Sequence, residues 1–211
     1  MNNTTYGRLS AGLIAAWFVF AFSASALHLF KTDTSQPPLA LGLTVLAPIA
    51  AFVAWFTASA GFREFVLSLN PRVLTLVHSW RLGGFTFLVL YSAGLLPGLF
   101  ALPAGLGDIA IGATAPLAAL QLANFKRRNA FILWQVLGIF DLILAVTLGT
   151  TVRLIDPHAV ATGVMTVLPM SLIPTFAVPL LIVLHVICIA QALRWKEGEG
   201  SLRERVPATI S

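Results

Sequence analysis

Three charged side chains, Arg81, Asp108 and Asp141, and two histidines, His78 and His185, stand inside stretches apolar enough to span a bilayer. A charge near a bilayer centre costs about 2.5–3.5 kcal/mol even on the lenient insertion scale, so such a residue is paired, hydrated or functional. Acids and imidazoles in that setting carry protons, an arginine binds an anionic group or steadies a carboxylate, and facing imidazoles can hold haem iron. These five residues form the candidate ion-coupling or substrate-binding set.

Asp141 is the sharpest of them. Twelve residues separate it from Arg128 and eleven from Arg153, which puts it near the midplane. A carboxylate is too short to reach water from there. It is therefore paired with Arg81, protonated, or facing a hydrated cavity. Arg81 has a plainer alternative, since its long stem can snorkel to the interface. Asp108 precedes seventeen uncharged residues, Ile109–Phe125, and is expected to N-cap the fourth span. The alternative is a helix beginning at Pro103, with Asp108 one turn inside and facing an outward-open cavity.

His78 and Arg81 are three residues apart and share a helical face. Counted inward from Arg72 and Arg194, His78 and His185 lie at similar depth on opposed helices. They read either as two separately hydrogen-bonded histidines or as axial ligands of one b-type haem. His28 and His158 fall near the outer surface and read as ordinary interfacial residues.

The elements that must position these residues are transmembrane helices. Hydrophobic residues make up 58% of the 211 residues and charged residues 10%, too few to give a soluble fold its polar surface. About 20 apolar residues cross the hydrocarbon core. On that measure the sequence predicts an all-α, polytopic bundle of six transmembrane helices. The spans fall at about 9–30, 39–60, 72–96, 104–125, 130–150 and 172–193. They form one domain over residues 1–195, followed by a short cytoplasmic tail, 196–211. Ser35–Pro38 reads as a turn. The apolar connection Leu96–Gly105 is expected to dip into the outer interface, and Ala159–Leu168 to form an interfacial or re-entrant segment.

Lys and Arg set the orientation. Ten of thirteen lie at the N-terminus, in the second–third loop, in the fourth–fifth loop or in the tail. Lys31 and Arg153 fall in the opposite loops, so the positive-inside rule places both termini in the cytoplasm, with the plasma (inner) membrane as the expected location. A rival reading takes Arg8, the first apolar run and Ser23–Ala26 as a cleaved signal peptide, although 22 uncharged residues are long for one. Trp80, Trp134 and Trp195 read as an aromatic belt at the cytoplasmic ends of helices, and Trp17 and Trp55 as packing residues. Small-residue spacings at Gly12/Ala16 and Gly94/Gly98 permit close helix contact and hence oligomerisation. A short echo between residues 82–94 and 137–149 does not amount to an inverted repeat.

Function is read partly by exclusion. Basic residues flank the apolar runs and form no single patch, so nucleic acid is not an expected partner. The lone Cys188 excludes an intrachain disulfide. There is no His-Glu-x-x-His helix, phosphate loop, Cys-x-x-Cys pair or Gly-x-Ser-x-Gly elbow. The leading expectation is a small transporter or proton-coupled carrier, with the bilayer and a small molecule or protons as partners. One alternative is a b-type haem electron carrier through His78 and His185. The other is an intramembrane enzyme acting on a lipid or isoprenoid, with Asp141 and Asp108 as acid or base.

Overall fold

The computed structural model describes residues 3–31, 39–156 and 158–196, with residues 39–41 described in backbone only. The expected turn at Ser35–Pro38 and nearly all of the tail lie outside them. The fold is all-helical, with no strand among the described residues. The helices are α1 (Asn3–Ala26), α2 (Leu39–Ala58), α3 (Ala60–Ser68), α4 (Pro71–Val77), α5 (Phe85–Ser92), α6 (Gly98–Leu117), α7 (Arg128–Ile155) and α8 (Val178–Ala192). Five helical runs are long and apolar enough to cross a membrane, and six if the bent pair α2–α3 counts as one span. Their outward surface is apolar, with Phe20, Leu46, Val89, Phe140 and Leu154 among the large exposed side chains.

Local chemistry explains the breaks. Ser59 stops α2 and caps α3, accepting a hydrogen bond from the Phe62 amide at 3.3 Å, and the chain bends by 109° there. Asn70 caps α4 in the same way, followed by Pro71 in the first turn, where no amide donor is needed. The α3 helix is amphipathic. Phe62 and Val66 turn inward, while Glu64 and Ser68 face out. Gln191 on α8 donates to the Leu69 carbonyl at 2.8 Å and to those of Val66 and Leu67 at 3.3 Å, satisfying the end of α3. Trp55 stacks on Phe62 with ring centroids 3.7 Å apart, and Tyr6 of α1 packs against both.

The third span is overwound in its middle. His78–Gly84 is a 3-10 helix between α4 and α5, and its buried residues are His78, Arg81 and Gly84. Three residues per turn stack such positions on a single face. That face meets α6 backbone to backbone. A side chain at Gly84 would meet the Gly105 carbonyl at 2.9 Å, and one at Gly112 would meet the Leu82 amide at 2.6 Å. Apart from Phe100 and Ile111, the buried residues of α6 are correspondingly small: Ala101, Ala104, Gly105, Gly112 and Ala115.

Three expectations are corrected. Residues 98–105 are the opening turns of α6, with Pro103 accommodated inside it, instead of an interfacial loop. Asp108 is therefore no cap, being ten residues into the helix. Trp134 belongs to no surface belt; it is buried, and its indole N–H donates to Thr114 Oγ1 at 3.0 Å. Between α7 and α8, the only helical turn among the described residues before Ser171 is a short 3-10 segment, Thr162–Thr166. It is tied back to α7 by Thr162 Oγ1 donating to the Gly149 carbonyl at 2.9 Å.

Candidate functional site

Arg81 is the centre of the molecule's polar interior. It is 3% exposed, so it does not snorkel. Its Nε donates to Asp108 Oδ1 at 2.6 Å, Nη1 donates to the Gly138 carbonyl at 3.1 Å, and Nη2 donates to Asp141 Oδ2. One guanidinium thus holds two carboxylates from two other helices. Each of the three charges lies at least ten residues from either end of its run, within 71–92, 98–122 and 125–155. Ten residues of helix are about 15 Å, half of a hydrocarbon core of about 30 Å. With both acids ionised, the cluster carries a formal charge of −1.

Two glycines make room for it. A Cβ on Gly107 would overlap the Asp141 carboxylate, and one on Gly138 would overlap the His185 ring.

A second polar chain leads away from Arg81. Its Nη1 lies 3.4 Å from His185 Nε2, and His185 Nδ1 contacts Gln135 Oε1. Arginine has no acceptor, so Nε2 accepts and the ring proton sits on Nδ1, donating to Gln135. The Gln135 amide then donates to Thr75 Oγ1 at 3.2 Å, and the Thr75 hydroxyl donates to the Pro71 carbonyl at 2.8 Å. Every donor in this chain points from Arg81 toward the start of α4. An amide passes no proton without tautomerising, so Gln135 positions His185 and interrupts any relay.

His78 stacks face to face on His185, with centroids 3.7 Å apart and planes inclined by 19°, and the Trp134 ring lies edge-on to it at 5.9 Å. Among the described residues neither His78 nitrogen has a hydrogen-bond partner, and both nitrogens are buried. This arrangement does not fit the haem expectation. Axial imidazoles meet iron through a nitrogen each, with the porphyrin between them, whereas these rings are in van der Waals contact through their faces. Nor do the described residues include a group of three or more His, Cys, Asp or Glu placed to hold a metal ion.

An apolar cavity of about 170 Å³ opens on the other side of the cluster. Its walls include Val45, Phe87, Phe100, Leu142 and Val178, Asp108 lies against it, and Arg153 with Thr162 stands toward the far end of α7. The Asp108 side chain keeps 16% exposure while one of its oxygens accepts from Arg81. For scale, an apolar cavity of about 150 Å³ accommodates benzene.

All five sequence candidates meet in one place. Arg81 pairs with Asp141, the ion-pair alternative weighed for both residues, and the structure adds Asp108 to the pair. Gln135, Thr75, Gly107 and Gly138 are the members that charge counting missed. Periodicity marks Gln135: buried Phe131, Trp134, Gln135, Gly138 and Leu142 follow the three-then-four spacing of one helical face.

No curated protein and no solved structure matches this chain. The model of a family described as a domain of unknown function (DUF8737) matches residues 37–193, which include every member of the cluster and leave out α1, and by that match the chain belongs to this family.

Proposed function

We propose that the protein is a six-pass carrier of the plasma (inner) membrane, with both termini cytoplasmic, that couples movement of a small substrate to protons. The observation that supports this reading is the Arg81 cation held between Asp108 and Asp141 at mid-span, with Asp108 also facing an apolar cavity. Asp141 is the proposed proton carrier. Arg81 steadies its ionised form, and Asp108 links the pair to the substrate space. Contacts gather Tyr6, Phe62, Leu69 and Gln191 at one end of the bundle, beside Arg8, Arg63, Arg72 and Arg194, in keeping with a basic cytoplasmic face.

The test uses proteoliposomes holding a pH-sensitive dye, offered a panel of small amines, organic anions and lipids under an imposed pH gradient. A substrate-dependent pH change that disappears in Asp141→Asn, with the variant still folded, supports the assignment. The same change persisting in that variant would overturn it. The acid beside an apolar cavity also suits an enzyme acting on a lipid or isoprenoid, which would convert its substrate in detergent with no gradient present.

A further inference from the structure

The charge balance of the cluster and the character of its cavity bear on what the site binds. Arg81 contributes one positive charge, and Asp108 and Asp141 contribute two negative ones, all in the middle of helices. An uncompensated charge buried in this setting is costly, so the cluster takes up one more monovalent positive charge. Around Asp108 and its partner Arg81 the ionisable groups are few. The 3-10 segment presents Arg81 and His78, α7 presents Asp141, and α8 presents His185, while the α2, α5 and 162–166 walls of the cavity carry no ionisable side chain. Arg153 is twelve residues further along α7 than Asp141, about 18 Å, and is exposed.

The positive charge comes from a proton, a metal ion or an organic cation. A hard metal ion needs a cage of about six oxygen ligands, and here the walls around Asp108 are mainly aliphatic and aromatic. Apolar walls closing on an acid are instead complementary to a cation whose charge is carried on an apolar body. Phe87 and Phe100 add aromatic surface of the kind that attracts such a cation. We infer that the cavity beside Asp108 binds a compact lipophilic monovalent cation, a protonated or quaternary amine about one ring in size, in exchange for the proton of the Arg81–Asp108–Asp141 cluster. This rests on the carrier reading and names its substrate class.

The experiment compares two molecules of nearly the same shape, phenyltrimethylammonium and the neutral tert-butylbenzene. Each is titrated calorimetrically into the full chain in lipid nanodiscs, with empty nanodiscs subtracted. The cation is expected to bind at least tenfold more tightly than the neutral molecule. It should release close to one proton per molecule bound, measured by repeating the titration in buffers of different ionisation heat. Its affinity should fall by up to tenfold for each unit by which the pH is lowered. Asp108→Asn should abolish the preference for charge. Ala145→Phe, which fills the cavity and removes no charged group, should abolish binding and leave the melting temperature near that of the parent, so that an Asp108 variant that fails to fold does not spoil the test. Equal binding of the two molecules, binding without proton release, or full binding to Ala145→Phe would each overturn the inference. Any of these together with an intact Asp141-dependent pH signal in proteoliposomes would sink the substrate class alone, whereas loss of that signal would sink the carrier reading.

Discussion

Replacing Arg81 by methionine leaves Asp108 and Asp141 without their shared partner while roughly keeping the volume of the side chain. Breaking a buried ion pair by removing one member costs about 3–5 kcal/mol, because the partner's charge stays behind uncompensated. For a chain of this length that corresponds to a melting temperature lower by about 6–20 °C. Asp141→Asn works the other way. It removes one negative charge from a cluster of formal charge −1, leaves Arg81 matched one to one with Asp108, and keeps an amide oxygen for Nη2, so the loss is at most about one net hydrogen bond, roughly 1 kcal/mol. Arg81→Met combined with Asp108→Asn and Asp141→Asn removes all three charges and should recover most of the deficit. The chain has its own reporter, since Cys188 is its lone cysteine and is fully buried. A maleimide fluorophore added during a thermal ramp in detergent reads its exposure directly. An Arg81→Met protein that melts with the parent, or an Asp141→Asn protein that melts as low as Arg81→Met, would refute the account of the cluster.

Gly138→Ala should cost about 1–3 kcal/mol by driving the His185 ring from its place, and His185→Ala in the same chain should restore part of the loss in the same melt. Gln135→Leu removes the acceptor of the His185 Nδ1 proton and a donor to Thr75, so stability should fall by about 1–3 kcal/mol in the same melt. With Cys188 replaced by serine, an impermeant maleimide applied to intact cells should label Leu154→Cys, and label Ser68→Cys only after the inner face is opened. The face-to-face stacking of His78 and His185 predicts that protein expressed with ample haem shows no Soret absorption band after purification.

Much of this interior was readable from residue type and spacing, and the misreadings have specific causes. Arg81 and Asp141 stand out because nothing near them in sequence is charged, and an isolated arginine and an isolated acid at one depth have few stable outcomes besides each other. Asp108 was obscured by Pro97, Gly98, Pro103 and Gly105, which read as a loop. Yet Ala101, Ala104, Gly105, Gly112 and Ala115 continue on one face straight past it, the mark of a single helix packed closely against a neighbour. Gln135 carries no charge, so composition does not single it out, although its place among Phe131, Trp134 and Gly138 puts it on the buried face. The equal depth of His78 and His185 was legible. Their stacking was not, because it depends on Gly138 admitting the His185 ring and on the overwinding of residues 78–84, and neither follows from counting residues along a regular helix.

That overwinding has a mechanical corollary. In the tight form each residue advances the helix by about 2.0 Å and 120°, against about 1.5 Å and 100° in the ordinary form. Were His78–Gly84 to relax, Arg81 would rotate by about 60° relative to His78. The seven-residue stretch would also draw in by about 3.5 Å. The same few residues would thereby act as a screw, coupling the release of a carboxylate from the guanidinium to an axial pull on the helix above it.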